Sequence, residues 1–159
     1  MILGIGVDIV TINRLSEDKS ERFMERTFAP SEQRYIKGRS TATMAGLFAA
    51  KEAIAKALGT GFKGFWPAEI EIEHDDNGAP KVVLHGKAEE TAKGLGANSY
   101  RIHLNISHSE TSALAFAIIE GASYSKEKND NISQSQEEDD DSSSHSEEEK
   151  KSKDWNWYE

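Results

Sequence analysis

Residues 43–58 read TMAGLFAAKEAIAKAL, and this run decides the fold. Alanine, the best helix former, dominates it, and Leu47, Phe48, Ile54 and Leu58 supply apolar faces before Gly59 stops the helix. The run holds no proline, and Gly46 is its one internal glycine. A long helix from Thr43 to Leu58 is therefore expected, and the rest of the chain must provide a surface for it.

Residues 2–10 read as a first strand, with Leu3, Ile5, Val7 and Ile9 on one face and Ile2, Gly4, Gly6, Asp8 and Val10 on the other. The glycines leave that second face open to a close neighbour. Short helical segments follow near Thr11 and from about Lys19 to Thr27. A third is expected at Ala-Pro-Ser-Glu, residues 29–32, with Ser31 as its cap and Gly38 as its end. After the long helix, Glu69 to His74 and Lys81 to His85 alternate as two strands around Asp75-Asp76-Asn77-Gly78, a hairpin signal. A helix from Gly86 to Leu95 and two strands, Tyr100 to Ser107 and Ser112 to Ile119, complete the order. The pattern predicts an α+β domain over residues 1–122, a small antiparallel sheet packed on one long helix plus short helices.

Charge marks the boundary of that domain. The chain of 159 residues carries a net charge of -9, yet Ser125 to Glu159 alone hold twelve acidic and five basic residues. With eight serines and only Ile132, Trp155, Trp157 and Tyr158 as apolar residues, this stretch cannot offset its ordering entropy by burial. Residues 123–159 are expected to form an acidic, serine-rich, disordered tail. No run approaches the roughly 18 apolar residues of a membrane span, and no leader pattern opens the chain, so a cytoplasmic protein is expected. Without cysteine, any metal must be held by carboxylate, imidazole or carbonyl groups.

Three places carry possible chemistry. Asp8 lies near the end of a buried-looking strand, where its carboxylate needs a cation, an amide cluster or open water; a turn cap is the simpler role. Glu52 and Lys56 share a helix face, which suits an ordinary surface ion pair. If strand and helix pack so that Asp8 meets Glu52, two hard oxygen ligands converge. Such a pair suits Mg²⁺, with substrate phosphates and waters completing its shell, and Lys56 one turn on would hold a phosphate as a point charge. The third place is Asn105-Ile106-Ser107-His108-Ser109 at a strand end, whose imidazole and hydroxyls either donate to phosphate or simply close the strand. Gly59-Thr60-Gly61 reads as a glycine stop and lacks the Gly-Lys-Ser/Thr ending of a phosphate loop. His74, His85, His103 and His145 show no metal-ligand spacing.

Taken together, Gly4-Ile5-Gly6-Val7-Asp8-Ile9-Val10 with Arg14, Phe48-Ala49-Ala50-Lys51-Glu52-Ala53 with Lys56-Ala57-Leu58-Gly59-Thr60-Gly61, Gly78-Ala79-Pro80 before a strand, and Ile106-Ser107-His108-Ser109 closely resemble the holo-[acyl-carrier-protein] synthase family. This is the short bacterial class of 4′-phosphopantetheinyl transferases. The resemblance covers residues 1 to about 121, and the tail has no counterpart in it. It implies transfer of the 4′-phosphopantetheine arm from coenzyme A to a serine of apo acyl carrier protein, with release of adenosine 3′,5′-bisphosphate, in support of fatty acid biosynthesis.

The resemblance also implies roles. Asp8 and Glu52 would bind Mg²⁺, Lys56 would stabilise the departing phosphate, and Glu52 or a metal-bound water would take the serine proton. His108, with Ser107 beside it, would contact the nucleotide phosphates. Arg14 and Arg22 would pair with the carrier's acidic helix, with Phe23 as an apolar contact, although the surrounding segment is mixed in charge rather than basic. Relatives carry an arginine where this chain has Leu47, which implies weaker coenzyme A binding or a substitute cation such as Lys51 or Arg39. The short class is known as a trimer with sites at subunit boundaries. The glycine-lined face of the first strand and the alanine-rich stretch from Ala113 to Ala117 are expected to permit close packing between subunits. Two other classes stand beside this reading, a non-catalytic nucleotide-binding module and a generic Mg²⁺-dependent phosphohydrolase. The acidic tail is expected to screen the carrier-binding helix, so truncation after Ala122 would speed carrier modification at low ionic strength.

Overall fold

The computed structural model describes residues 1–17, 20–97 and 99–122, and the expectation of a disordered tail lies outside the described residues. In chain order the elements are β1 (Ile2–Thr11), α1 (Arg14–Glu17), α2 (Glu21–Thr27), α3 (Pro30–Ile36), α4 (Thr41–Ala57), β2 (Ile70–His74), β3 (Pro80–Leu84), α5 (Gly86–Lys93), β4 (Ser99–His108) and β5 (Ser112–Ala122). A short 3-10 turn at Pro67–Glu69 leads into β2. The strands form an antiparallel three-stranded sheet ordered β1-β5-β4 and a separate β2-β3 hairpin.

The long helix α4 starts two residues earlier than its alanine run suggests, because Ser40 supplies the cap by accepting a hydrogen bond from the Thr43 N–H at 3.3 Å. Gly59, at φ 81°, ends it as a left-handed glycine stop. The cap expected from Ser31 is not made. Ser31 Oγ donates to Glu71 of β2 instead, and α3 begins at Pro30 with Glu32 Oε2 accepting from the Ala29 N–H at 2.6 Å. In the hairpin, Asp75 Oδ1 accepts from the N–H groups of Asn77 and Ala79, so the turn closes on a side chain as Asp-Gly chemistry predicts.

One face of the three-stranded sheet carries α4. That face is made of small residues: Gly4, Gly6, Ala113, Ala115 and Ala117, the three alanines fully buried. A Cβ at Gly6 would lie 1.9 Å from the Ala53 carbonyl oxygen, and one at Gly4 equally close to that of Ala57. Only glycine admits the helix at this distance. The close packing expected between subunits at these residues is thus packing within the chain. Leu47, Ile54, Ile70, Phe28 and Ile119 fill the remaining core.

The opposite sheet face is covered by no described element; it is apolar along β1 and β5, whereas β4 adds Arg101, His103, Asn105 and Ser107 to it. Ile5, Val7 and Ile9 of β1 are more than half exposed, Ile9 at 66%, and Phe116 and Leu114 beside them on β5 at 40% and 41%. Leu3 does not join that row as strict alternation predicts. A register shift between Ile2 and Gly4 turns it toward the core, where it packs beside Gly121.

Candidate active site

The close approach of β1 and α4 brings Asp8 to the side of the helix that carries Glu52 and Lys56. Lys56 Nζ donates to Asp8 Oδ1 at 2.8 Å and to the Val7 carbonyl oxygen at 3.1 Å. The ion pair therefore runs from helix to strand, bridging 48 positions of sequence, rather than one turn along the helix. Glu52, one turn before Lys56, is only 9% exposed. Its pKa is pushed up to about 7, first by burial and then by the negative charge of Asp8, against the opposing pull of Lys56 and Arg14. Asp8, Glu52, Lys56 and Arg14 thus form one electrostatic neighbourhood.

This donor set fits a hard divalent cation. The negative charge of Asp8 beside the buried Glu52 carboxyl makes this a place where positive charge is favoured, and the two side chains match the one or two carboxylates that Mg²⁺ takes beside phosphates and waters. Among the described residues no group of three or more His, Cys, Asp or Glu is placed to hold a metal.

The strand-end motif is arranged differently from expectation. His108 pairs in register with Ala113 and Ser107 with Leu114, so the two side chains lie on opposite faces of the sheet. His108 lines an open groove of about 600 Å³ with Ile12, Ser40, Thr41, Ala42, Ser109 and Glu110, at the N-terminal end of α4. Ala42 and Glu52 are ten residues apart on that helix, about 15 Å at the helical rise, so within one chain the histidine groove and the carboxylates are separate places. Ser107 belongs to the uncovered face, level with Ile9 and Leu114.

The substitute cations do not reach that groove. Lys51 is wholly buried: its ammonium pairs with Glu32 at 2.7 Å and donates to the carbonyl oxygens of Pro67 and Ile70. Burial drives the Glu32 carboxyl up and the Lys51 ammonium down, each against its partner's charge. Lys51 is therefore removed from the list of phosphate contacts and joins the core. Arg39 lies over the Tyr35 ring at 4.0 Å, and Leu47 is a core residue, 2% exposed. The buried pair was not read from the sequence, yet a signal exists, since Lys51 falls on the Leu47, Ile54, Leu58 stripe at helical spacing.

Of the residues expected to meet a partner, Arg22 is exposed on α2, and Arg14 is exposed while lying close enough to Glu52 to lower its pKa. Phe23 is half-buried, edge-on to Phe28 at 6.1 Å and tilted against Phe48 at 6.3 Å, so much of its ring serves the core. His74 stacks on Tyr35, His85 pairs with Glu71 and His103 with Glu120, each in a structural contact; His145 lies outside the described residues. A cavity of about 440 Å³ between α2 and the hairpin, lined by Arg26, Trp66, Glu71 and His85 among others, was not foreseen.

Comparison with known proteins places the whole domain in a family. The family model described as the 4′-phosphopantetheinyl transferase superfamily matches residues 4–117. The holo-[acyl-carrier-protein] synthase of Clostridium acetobutylicum is 48% identical over 124 residues, covering 76% of this chain and 98% of that protein. The crystal structure of a holo-ACP-synthase from Plasmodium yoelii superposes with a TM-score of 0.67 at 32% identity, covering 77% of this chain and 98% of that one. A holo-(acyl-carrier-protein) synthase from Bacillus anthracis, solved in complex with CoA (3′,5′-ADP), superposes with a TM-score of 0.63 at 36% identity, covering 77% and 99%. With residues 4–117 matched by the family model and relatives this similar over most of their length, the chain belongs to the 4′-phosphopantetheinyl transferase superfamily.

Proposed function

We propose that this chain is a holo-[acyl-carrier-protein] synthase that moves 4′-phosphopantetheine from coenzyme A to a serine hydroxyl of apo acyl carrier protein. The observation that carries the reading is the meeting of Asp8, Glu52 and Lys56 across β1 and α4. In the reaction the serine oxygen forms a new bond to the phosphorus bearing the pantetheine arm. The diphosphate bridge to the nucleotide breaks, and adenosine 3′,5′-bisphosphate leaves with the bridging oxygen. The serine proton must pass to a base. Glu52, or a water at the same place, would take it.

Asp8 and Glu52 would hold Mg²⁺, which when bound supplies neutralising charge to the diphosphate oxygens. Lys56 would hold the departing phosphate as its charge grows. Arg14 and Arg22 would steer an acidic carrier, with the exposed edge of Phe23 beside them. His108 and Ser107 would serve the nucleotide phosphates from different faces, which favours sites shared between copies. The uncovered face of Ile5, Val7, Ile9, Leu114 and Phe116 supports self-association, in this reading as a homotrimer. Among the described residues no helix is long and apolar enough to cross a membrane. Within this proposal the setting is the cytoplasm and the process is fatty acid biosynthesis.

The test is incubation of the full chain with coenzyme A, Mg²⁺ and an apo carrier, followed by intact mass. Phosphopantetheine addition to the carrier is expected, and none at any Mg²⁺ level would refute the proposal. Asp8→Ala and Glu52→Ala should each remove turnover while circular dichroism stays unchanged. Near-normal rates in either variant would remove the metal role. Cleavage of coenzyme A without a carrier would point to a hydrolase instead.

A further inference from the structure

The Lys56 ammonium lies 2.8 Å from Asp8 Oδ1 and 3.1 Å from the Val7 carbonyl oxygen. It therefore engages a carboxylate that the proposed metal pair needs. We infer that Lys56 is a placeholder cation, engaging Asp8 before the metal and coenzyme A are loaded and moving to the diphosphate as they bind. This rests on the reading of Asp8 and Glu52 as the metal pair.

The chemistry of the contacts favours such a transfer. Two neighbouring carboxylates without a cation repel each other, and Lys56 supplies positive charge where loading later supplies more. Lysine suits the task because its ammonium is a compact point charge with three donors on a flexible four-carbon stem. The bond to the Val7 carbonyl is a pivot: the ammonium can keep it while its other donors swing from Asp8 toward an incoming oxygen. The Lys56 side chain is 39% exposed, against 12% for Asp8, so its head has room to move. A partly exposed pair of this kind is worth at most about fivefold in an equilibrium, a small barrier to overcome. Metal and diphosphate then each favour the transferred lysine, which couples their binding.

Two measurements on the full chain test this. Brief acetylation followed by peptide mass spectrometry reads Lys56 reactivity against the exposed Lys81. Lys56 should react several-fold faster when Mg²⁺ is added and slow again when coenzyme A follows, with Lys81 unchanged. Binding of Mn²⁺, followed by electron paramagnetic resonance without coenzyme A, should tighten about fivefold in Lys56→Met. Coenzyme A should bind that variant's metal-loaded form more weakly than wild type. If Mn²⁺ binds wild type but Mg²⁺ leaves Lys56 reactivity unchanged, the placeholder role is overturned. If wild type takes Mn²⁺ only with coenzyme A present, Lys56→Met should take it alone, and failure to do so also overturns the role. Mn²⁺ binding that survives Asp8→Asn would instead refute the metal pair itself.

Discussion

Replacing Glu52 with glutamine should stabilise the metal-free protein at pH 8 while removing its activity. The carboxyl has an ordinary pKa of 4.5 and a folded value of about 7. Between those values the native state keeps a proton that the unfolded chain has lost, so stability falls as pH rises through this window and is flat above it. At 1.36 kcal/mol per pH unit the decline approaches about 3 kcal/mol, an upper figure because relaxation and water entry reduce it. Glutamine keeps the shape and does not titrate, so Glu52→Gln escapes the decline. It should match wild type near pH 4.5 and exceed it by up to about 3 kcal/mol at pH 8, roughly 10 °C in Tm for a domain of this size. Thermal unfolding of both proteins in a chelator at several pH values measures this, and comparing variant with wild type cancels every group they share. Added Mg²⁺ should then raise the wild-type Tm at pH 8 more than that of the variant. A stability difference that does not change between pH 4.5 and pH 8 would refute the argument that burial and Asp8 together raise this carboxyl.

Other expectations follow from single contacts. Lys51→Met removes the partner of the buried Glu32 and should cost about 3–5 kcal/mol, read as a large fall in Tm, with partial recovery when Glu32→Gln is added; a variant as stable as wild type would mean the pair is not buried in solution. Gly6→Ala drives a methyl group against the Ala53 carbonyl and should cost at least about 1–3 kcal/mol, with turnover falling further because Asp8 and Glu52 are pushed apart; normal stability and rate would contradict the close packing. Arg22→Glu should lower kcat/KM for the carrier at low ionic strength and approach wild type in high salt, whereas a defect independent of salt would place its role elsewhere.

Much of this protein is legible along the chain. Helix propensity over residues 43–58, the Asp75 to Gly78 turn and the alternation of β1, β4 and β5 are local effects acting over a few residues, and each element formed close to its expected limits. The motifs around Asp8, Glu52 and Lys56 identify the family for the same reason, since their residue types and spacings are written in the sequence. Period two also tells which β1 residues share a face, but not which face turns inward. The more apolar row, Ile5, Val7 and Ile9, stayed outside, because glycines on the other row let α4 approach more closely. Packing at that distance decided that Asp8 acts on the charge of Glu52, that Lys56 reaches across to Asp8, and that Lys51 pairs with Glu32 in the core. These contacts join residues far apart in the chain, and their geometry depends on how closely a whole helix settles on a whole sheet, a quantity that no short window of sequence contains.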